Sequence, residues 1–127
     1  MSIDLAVVFR QAADIIRANG HHQGSYFTRP ESGATVAPPS CPVCIAGAVA
    51  IALTGWPVPG GLADGDYDLF EEVASALVAL MGLKGDPLLD PVGRLAVWND
   101  IAGRTAADVI LALETAALKC SPKAVAA

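Results

Sequence analysis

Apolar residues recur at helical spacing along four stretches of the chain, and Gly, Pro and small polar residues fill the breaks between them. In the first stretch Leu5, Val8, Phe9, Ala12, Ile15 and Ile16 share one face, while Arg10, Asp14 and Arg17 share the other. This predicts a helix from Ser2 to Ala18. Ser2 is its expected N-cap, and Asn19-Gly20 its stop, because both residues tolerate the left-handed conformation. Between His21 and Ser40 the helical period disappears. Tyr26-Phe27-Thr28 and Ala34-Thr35-Val36 are β-favouring runs around a turn-like Arg29–Gly33, and they predict a small β-hairpin between the first two helices.

The second helix is expected from Pro42 to Thr54, with Pro42 in the first turn, where its missing N–H costs nothing. Its residues are apolar almost all round, which marks it as the central helix of the core. Gly47 lies among small alanines and permits a close neighbour, and Gly55 ends the helix. Trp56–Gly61 reads as loop, extended by Asp64-Gly65-Asp66. A third helix begins between Asp66 and Asp68 and ends at Met81-Gly82. Phe70, Val73, Leu77 and Leu80 are its inner stripe, and Glu71, Glu72 and Ser75 its wet face. Val92 to Trp98 supports one or two helical turns. The last helix runs from Thr105 to Lys119, with Thr105 and Asp108 spaced as a capping box and Val109, Ile110, Leu113, Ala116 and Ala117 facing inward. The fold class expected is mainly α: residues 1–120 as one domain of about four helices with the hairpin inserted, and 121–127 as a loose tail.

Composition narrows the function classes. A chain of 127 residues suits one domain, and 24 alanines favour helix over sheet. With 54% apolar residues and 17% charged, the chain can build a core rather than stay disordered. Eight Lys and Arg stand against 13 Asp and Glu with no basic block, which argues against nucleic acid or an anionic membrane surface as partner. The longest apolar run, Val43 to Leu53, is about half of the roughly 20 residues that span a bilayer. The acidic, helix-like start lacks the pattern of a secretory signal, so the expected compartment is the cytoplasm. There Cys41, Cys44 and Cys120 stay reduced, and three is in any case an odd number for a disulfide framework.

Three groups of residues carry candidate chemistry. Cys41-Pro42-Val43-Cys44 sits at a helix start, where the dipole favours a thiolate. A redox CxxC needs flanking strands, however, and a Pro-rich loop precedes this one. Two small apolar residues at a buried helix start is the plainer reading. Cys41 and Cys44 could also hold zinc with His21 or His22, and with Cys120 as a further ligand. Against this, adjacent histidines usually diverge, and a polar His pair also suits a helix C-terminus. Lastly, Asn99 or Asp100 could orient His22 to deprotonate Cys44 in a Cys-His-Asn/Asp triad. In the competing reading Trp98-Asn99-Asp100 is a turn whose side chains bond nearby backbone.

The strings Gln23-Gly24-x-Tyr26, Cys44-x-x-Gly47-Ala48, Trp98-Asn99-Asp100 and Thr105-x-x-Asp108-Val109 resemble a family of small uncharacterised proteins of actinobacteria and the phages that infect them. The resemblance runs from Ala12 to Ala117. It implies that Cys44 rather than Cys41 is the family-like cysteine and that relatives carry Trp at the position of His22. It further implies that Gln23, Gly24, Cys44, Trp98, Asn99 and Asp100 are neighbours, and it transfers no activity. In that neighbourhood Gln23, Tyr26, Trp98 and Asn99 either pin the fold or line a binding pocket. The function expected is a non-enzymatic cytoplasmic binding or regulatory module, phage or prophage encoded, acting through protein contacts. The alternatives are a thiol-dependent enzyme using Cys44 with His22 and Asn99 or Asp100, and a small-molecule or zinc-binding domain. No cofactor is expected. Apolar surface in excess of the core's needs points to a two-fold homodimer, with a host or cellular protein as a further partner.

Overall fold

Phe9 and Ile16 stand two helical turns apart and are almost wholly removed from solvent, together with Ala6, Val8, Ala12 and Ala13. They form the buried face of α1 (Leu5–Asn19). The computed structural model describes residues 4–24, 40–55, 64–84 and 88–120. The other helices are α2 (Ile45–Thr54), α3 (Asp64–Met81), α4 (Pro91–Asn99) and α5 (Ala106–Cys120). The protein is thus mainly helical, with five helices among the described residues rather than about four. The extra one is α4. Asp90 caps it by accepting from Gly93 N at 2.7 Å, and Pro91 starts it, so a stretch read as a turn or two closes into nine residues. A Cβ on Gly93 would lie 3.0 Å from Asp90 Oδ1, which explains the glycine.

Several expected boundaries move for local reasons. The N-cap of α1 is Asp4, not Ser2, and its carboxylate accepts from Val7 N at 3.3 Å. Pro42 lies outside α2, because Val43 pairs with His21 in a parallel bridge: Val43 N donates to Gly20 O at 3.1 Å and His22 N to Val43 O at 2.9 Å. Cys44, not Pro42, therefore opens the helix. Asp64 is already helical, where a loop was expected. The hairpin expected at Tyr26–Thr28 and Ala34–Val36 and the tail at 121–127 lie outside the described residues. Gly20 ends α1 at φ 100°, a conformation that strains residues with a Cβ, and turns the chain into the bridge.

α1 packs most extensively on α5 and α2, α3 on α4, and α2 also meets α3 and α4. α1 has the most extensive single packing, on α5, while α2, buried from Ile45 to Ala50, is the helix that meets α1, α3 and α4 alike, as its apolar sequence predicts. Ile45 and Val49 of α2, Phe70 and Leu77 of α3, Leu95 of α4 and Val109 and Leu113 of α5 complete the core. At about 1.5–3 kcal/mol for each large apolar side chain removed from water, these contacts dominate the stability. Surface ion pairs add little. Arg17 joins α1 to Glu114 of α5 and also meets Asp14, but all three side chains are exposed enough to be screened. No described helix is long and apolar enough to cross a membrane.

Candidate functional site

Asn99, in the last turn of α4, has no exposed surface, and among the described residues it is the one fully polar side chain in the core. All its amide positions are engaged. Oδ1 accepts from Ile45 N at 2.9 Å and from His21 Nε2 at 2.8 Å. Nδ2 donates to His22 O and to Asp100 Oδ1, each at 3.0 Å. A backbone N–H can only donate, so Ile45 fixes which end of the amide is oxygen, and His21 must then carry its proton on Nε2. Ile45 N is one of the first-turn donors that a helix leaves unpaired. Asn99 therefore reaches from the end of α4 to cap α2. Cys44 caps the same end from within, its Sγ accepting from Gly47 N at 3.3 Å.

The neighbours complete the network. Gln23 Nε2 donates to both Asn99 O and Ile101 O at 3.0 Å, satisfying carbonyls at the end of α4. Gly24, at φ 95°, aims its N–H at Asp100 Oδ1, 3.0 Å away. Beyond this cluster Arg104 stacks on Trp98, 4.0 Å from its ring centre, and donates to Trp98 O at 3.1 Å. The capping box read from the sequence is present: Thr105 N donates to Asp108 Oδ2 at 3.0 Å and Asp108 N to Thr105 Oγ1 at 3.2 Å. The Thr105 N–H, aided by the Thr105 hydroxyl and the charges of Arg104 and His21, holds the Asp108 carboxyl below its ordinary range.

The electrostatics of Cys44 oppose nucleophilic chemistry. Burial pushes its thiol up, and the nearby negative charge of Asp100 pushes the same way. Backbone N–H groups at the helix start, Gly47 foremost, offset this in part. Cys44 as a residue is 6% exposed. A cavity of about 300 Å³ lies against it, lined by Gly24, Cys44, Ala46, Val92, Gly93, Ala96 and Asp100. On another face a groove of about 320 Å³ runs between α3 and α5, with Leu80, Met81, Trp98, Leu111 and Ala112 among its walls.

The structure thus gathers His21, Gln23, Gly24, Cys44, Asn99 and Asp100 around the start of α2. His22 enters the cluster through its backbone, N–H to Val43 and C=O to Asn99. Cys41 is buried, Cys120 is half-buried at the end of α5, and Tyr26 lies outside the described residues. Burial pushes the Cys120 thiol up, with Asp4 adding to the effect. No group of three or more His, Cys, Asp or Glu side chains is arranged to hold a metal ion among the described residues. Sequence reasoning missed His21 as the partner of Asn99, and it missed Val92, Gly93 and Ala96 as cavity walls. The helical spacing of these three with Asp100 was the available signal.

A family model for a family of unknown function, DUF6197, matches residues 1–119. The chain belongs to that family. Within the DUF6197 match lie all the residues of the Asn99 network and both cavities' described walls. No curated protein and no solved structure matches the chain.

Proposed function

We propose that this protein is a non-enzymatic binding module that acts through protein contacts, self-association among them. The observation that carries this reading is a division of labour. The polar residues with chemical potential bond one another around the buried Asn99, while α5 holds Leu111 and Leu118 in solvent at 65% and 74% exposure. These two leucines lie two turns apart on one helix face, and Leu111 also borders the groove that contains Trp98. Aromatic and aliphatic side chains on such a face are suited to the core of an interface. A two-fold pairing of α5 faces is the simplest arrangement, with a host or cellular protein as the other kind of partner. A cytoplasmic setting and a phage or prophage origin belong to the same proposal and rest on the sequence.

The thiol-enzyme reading has less support, because it needs a thiolate where burial favours the neutral thiol. Zinc binding through Cys41, Cys44, His21 and His22 competes with the engagement of His21 by Asn99 and of Cys44 by Gly47.

Sedimentation equilibrium tests the leading reading. The parent chain should sediment as a dimer, and Leu111→Glu with Leu118→Glu should yield a monomer with unchanged helix content. A monomeric parent chain that captures no protein partner through this face would overturn it.

A further inference from the structure

We propose that the cavity between the start of α2 and α4 is a binding site for a small organic cation, an amine with a short branched aliphatic body, its ammonium group set on Asp100. Ala46, Val92, Gly93 and Ala96 supply apolar walls with small side chains, and the volume of about 300 Å³ suits a ligand at the lower end of the small-molecule range. Asp100 is the one formally charged group among the described walls. Its carboxylate is held from two sides, by Gly24 N and by Asn99 Nδ2, and both bonds fall on Oδ1. Asp100 is exposed, and among the described residues no hydrogen bond falls on its second carboxylate oxygen, which leaves those lone pairs for a donor while the bonds on Oδ1 orient the group.

The sign of the charge follows from what happens at the helix start. The N-terminus of a helix ordinarily attracts anions. Here Ile45 N is taken by Asn99 Oδ1 and Gly47 N by Cys44 Sγ, and the Ala46 N–H also acts on the Cys44 sulfur, so the donors an anion needs are engaged. Cys44 stays a neutral thiol because it is buried, and adds no competing charge. A carboxylate at the rim of an apolar chamber then selects a cation over an alcohol or an acid of the same shape. This inference uses a different part of the surface from the α5 face and stands or falls separately from it.

The test titrates the full chain with 3-methylbutylamine, 3-methylbutan-1-ol and 3-methylbutanoate, followed by amide chemical shifts. The amine is expected to move the resonances of Gly24, Ala46, Val92 and Ala96, and to bind about tenfold more tightly than the alcohol, in line with one charge-assisted hydrogen bond. The acid should bind more weakly still. Asp100→Asn, which keeps an acceptor for Gly24, should bring the amine down to the level of the alcohol. Ala96→Phe, which fills the chamber and leaves Asp100 in place, should abolish the shifts of both, so the result does not depend on the folding of one variant. Equal affinity for the three probes, preference for the acid, shifts centred elsewhere, or no shifts at all would overturn the proposal.

Discussion

The end of α4 and the outer face of α5 treat their side chains in opposite ways. At the end of α4 the polar groups turn inward: Asn99 is fully buried with both ends of its amide engaged, and Gln23 and Asp100 serve it from the surface. On α5 the apolar groups turn outward, with Leu111 and Leu118 left to water. A buried amide with all partners in place specifies one arrangement of the elements it joins, because any shift leaves several groups unsatisfied in a low dielectric. An exposed leucine does the reverse, adding nothing to the monomer and offering area to a partner. Residue types that resemble reaction machinery, Asn99 foremost, are thus bonded to one another and to the backbone around the start of α2, whereas the exposed leucines of α5 are left in solvent.

The sharpest way to break this contrast is at Asn99. Asn99→Ala strands the buried Ile45 N–H and removes a donor from His22 O. It should cost about 3–5 kcal/mol, read as a lower denaturant midpoint. A loss below about 1 kcal/mol would mean that the network is incidental. Cys44→Ala comes next. Losing the helix cap and the buried sulfur should cost about 1–2 kcal/mol, while Cys44→Ser should recover the part due to capping.

The raised pKa of Cys44 adds a pH signature. A thiol whose folded pKa lies above its unfolded value lends stability in full below the ordinary thiol range and loses it as pH climbs through the folded value. Thermal scans of the parent chain should therefore lose stability on the alkaline side more than scans of Cys44→Ala. Asp108 works in the other sense: its lowered pKa favours the fold above the ordinary carboxyl range, and this is lost as the solution turns acid. The smallest effect is expected on α5, where Leu111→Glu should alter monomer stability by no more than about 0.5 kcal/mol while changing association.

How much of this could be read from the sequence depends on which force positions each residue. α1 and α5 were legible because burial of one face imposes a helical period, and the Thr105–Asp108 box because capping acts over three residues. α4 was legible only as one or two turns over Val92 to Trp98, since Gly93 and Arg94 interrupt its short apolar pattern and its start depends on Asp90. The start of α2 was misplaced because Pro42 suits a first turn, yet pairing of Val43 with the end of α1 holds that segment extended. The grouping of Gln23, Gly24, Cys44, Trp98, Asn99 and Asp100 was implied by the family resemblance and is met by all but Trp98, which is engaged by Arg104 instead. The choice of His21 over His22 was not legible. Adjacent residues in an extended segment point to opposite sides, and only the tertiary register of the bridge decides which one meets Asn99.

The central claim, that the polar cluster locks helices and carries out no reaction, is tested most directly by the rate at which iodoacetamide labels each cysteine of the folded chain at neutral pH. Cys44 should label more slowly than the half-buried Cys120, and its rate should rise with denaturant as the fold opens. Labelling of Cys44 ahead of Cys120 in the absence of denaturant would contradict the claim, because it would show a reachable thiolate where the structure places a buried cap.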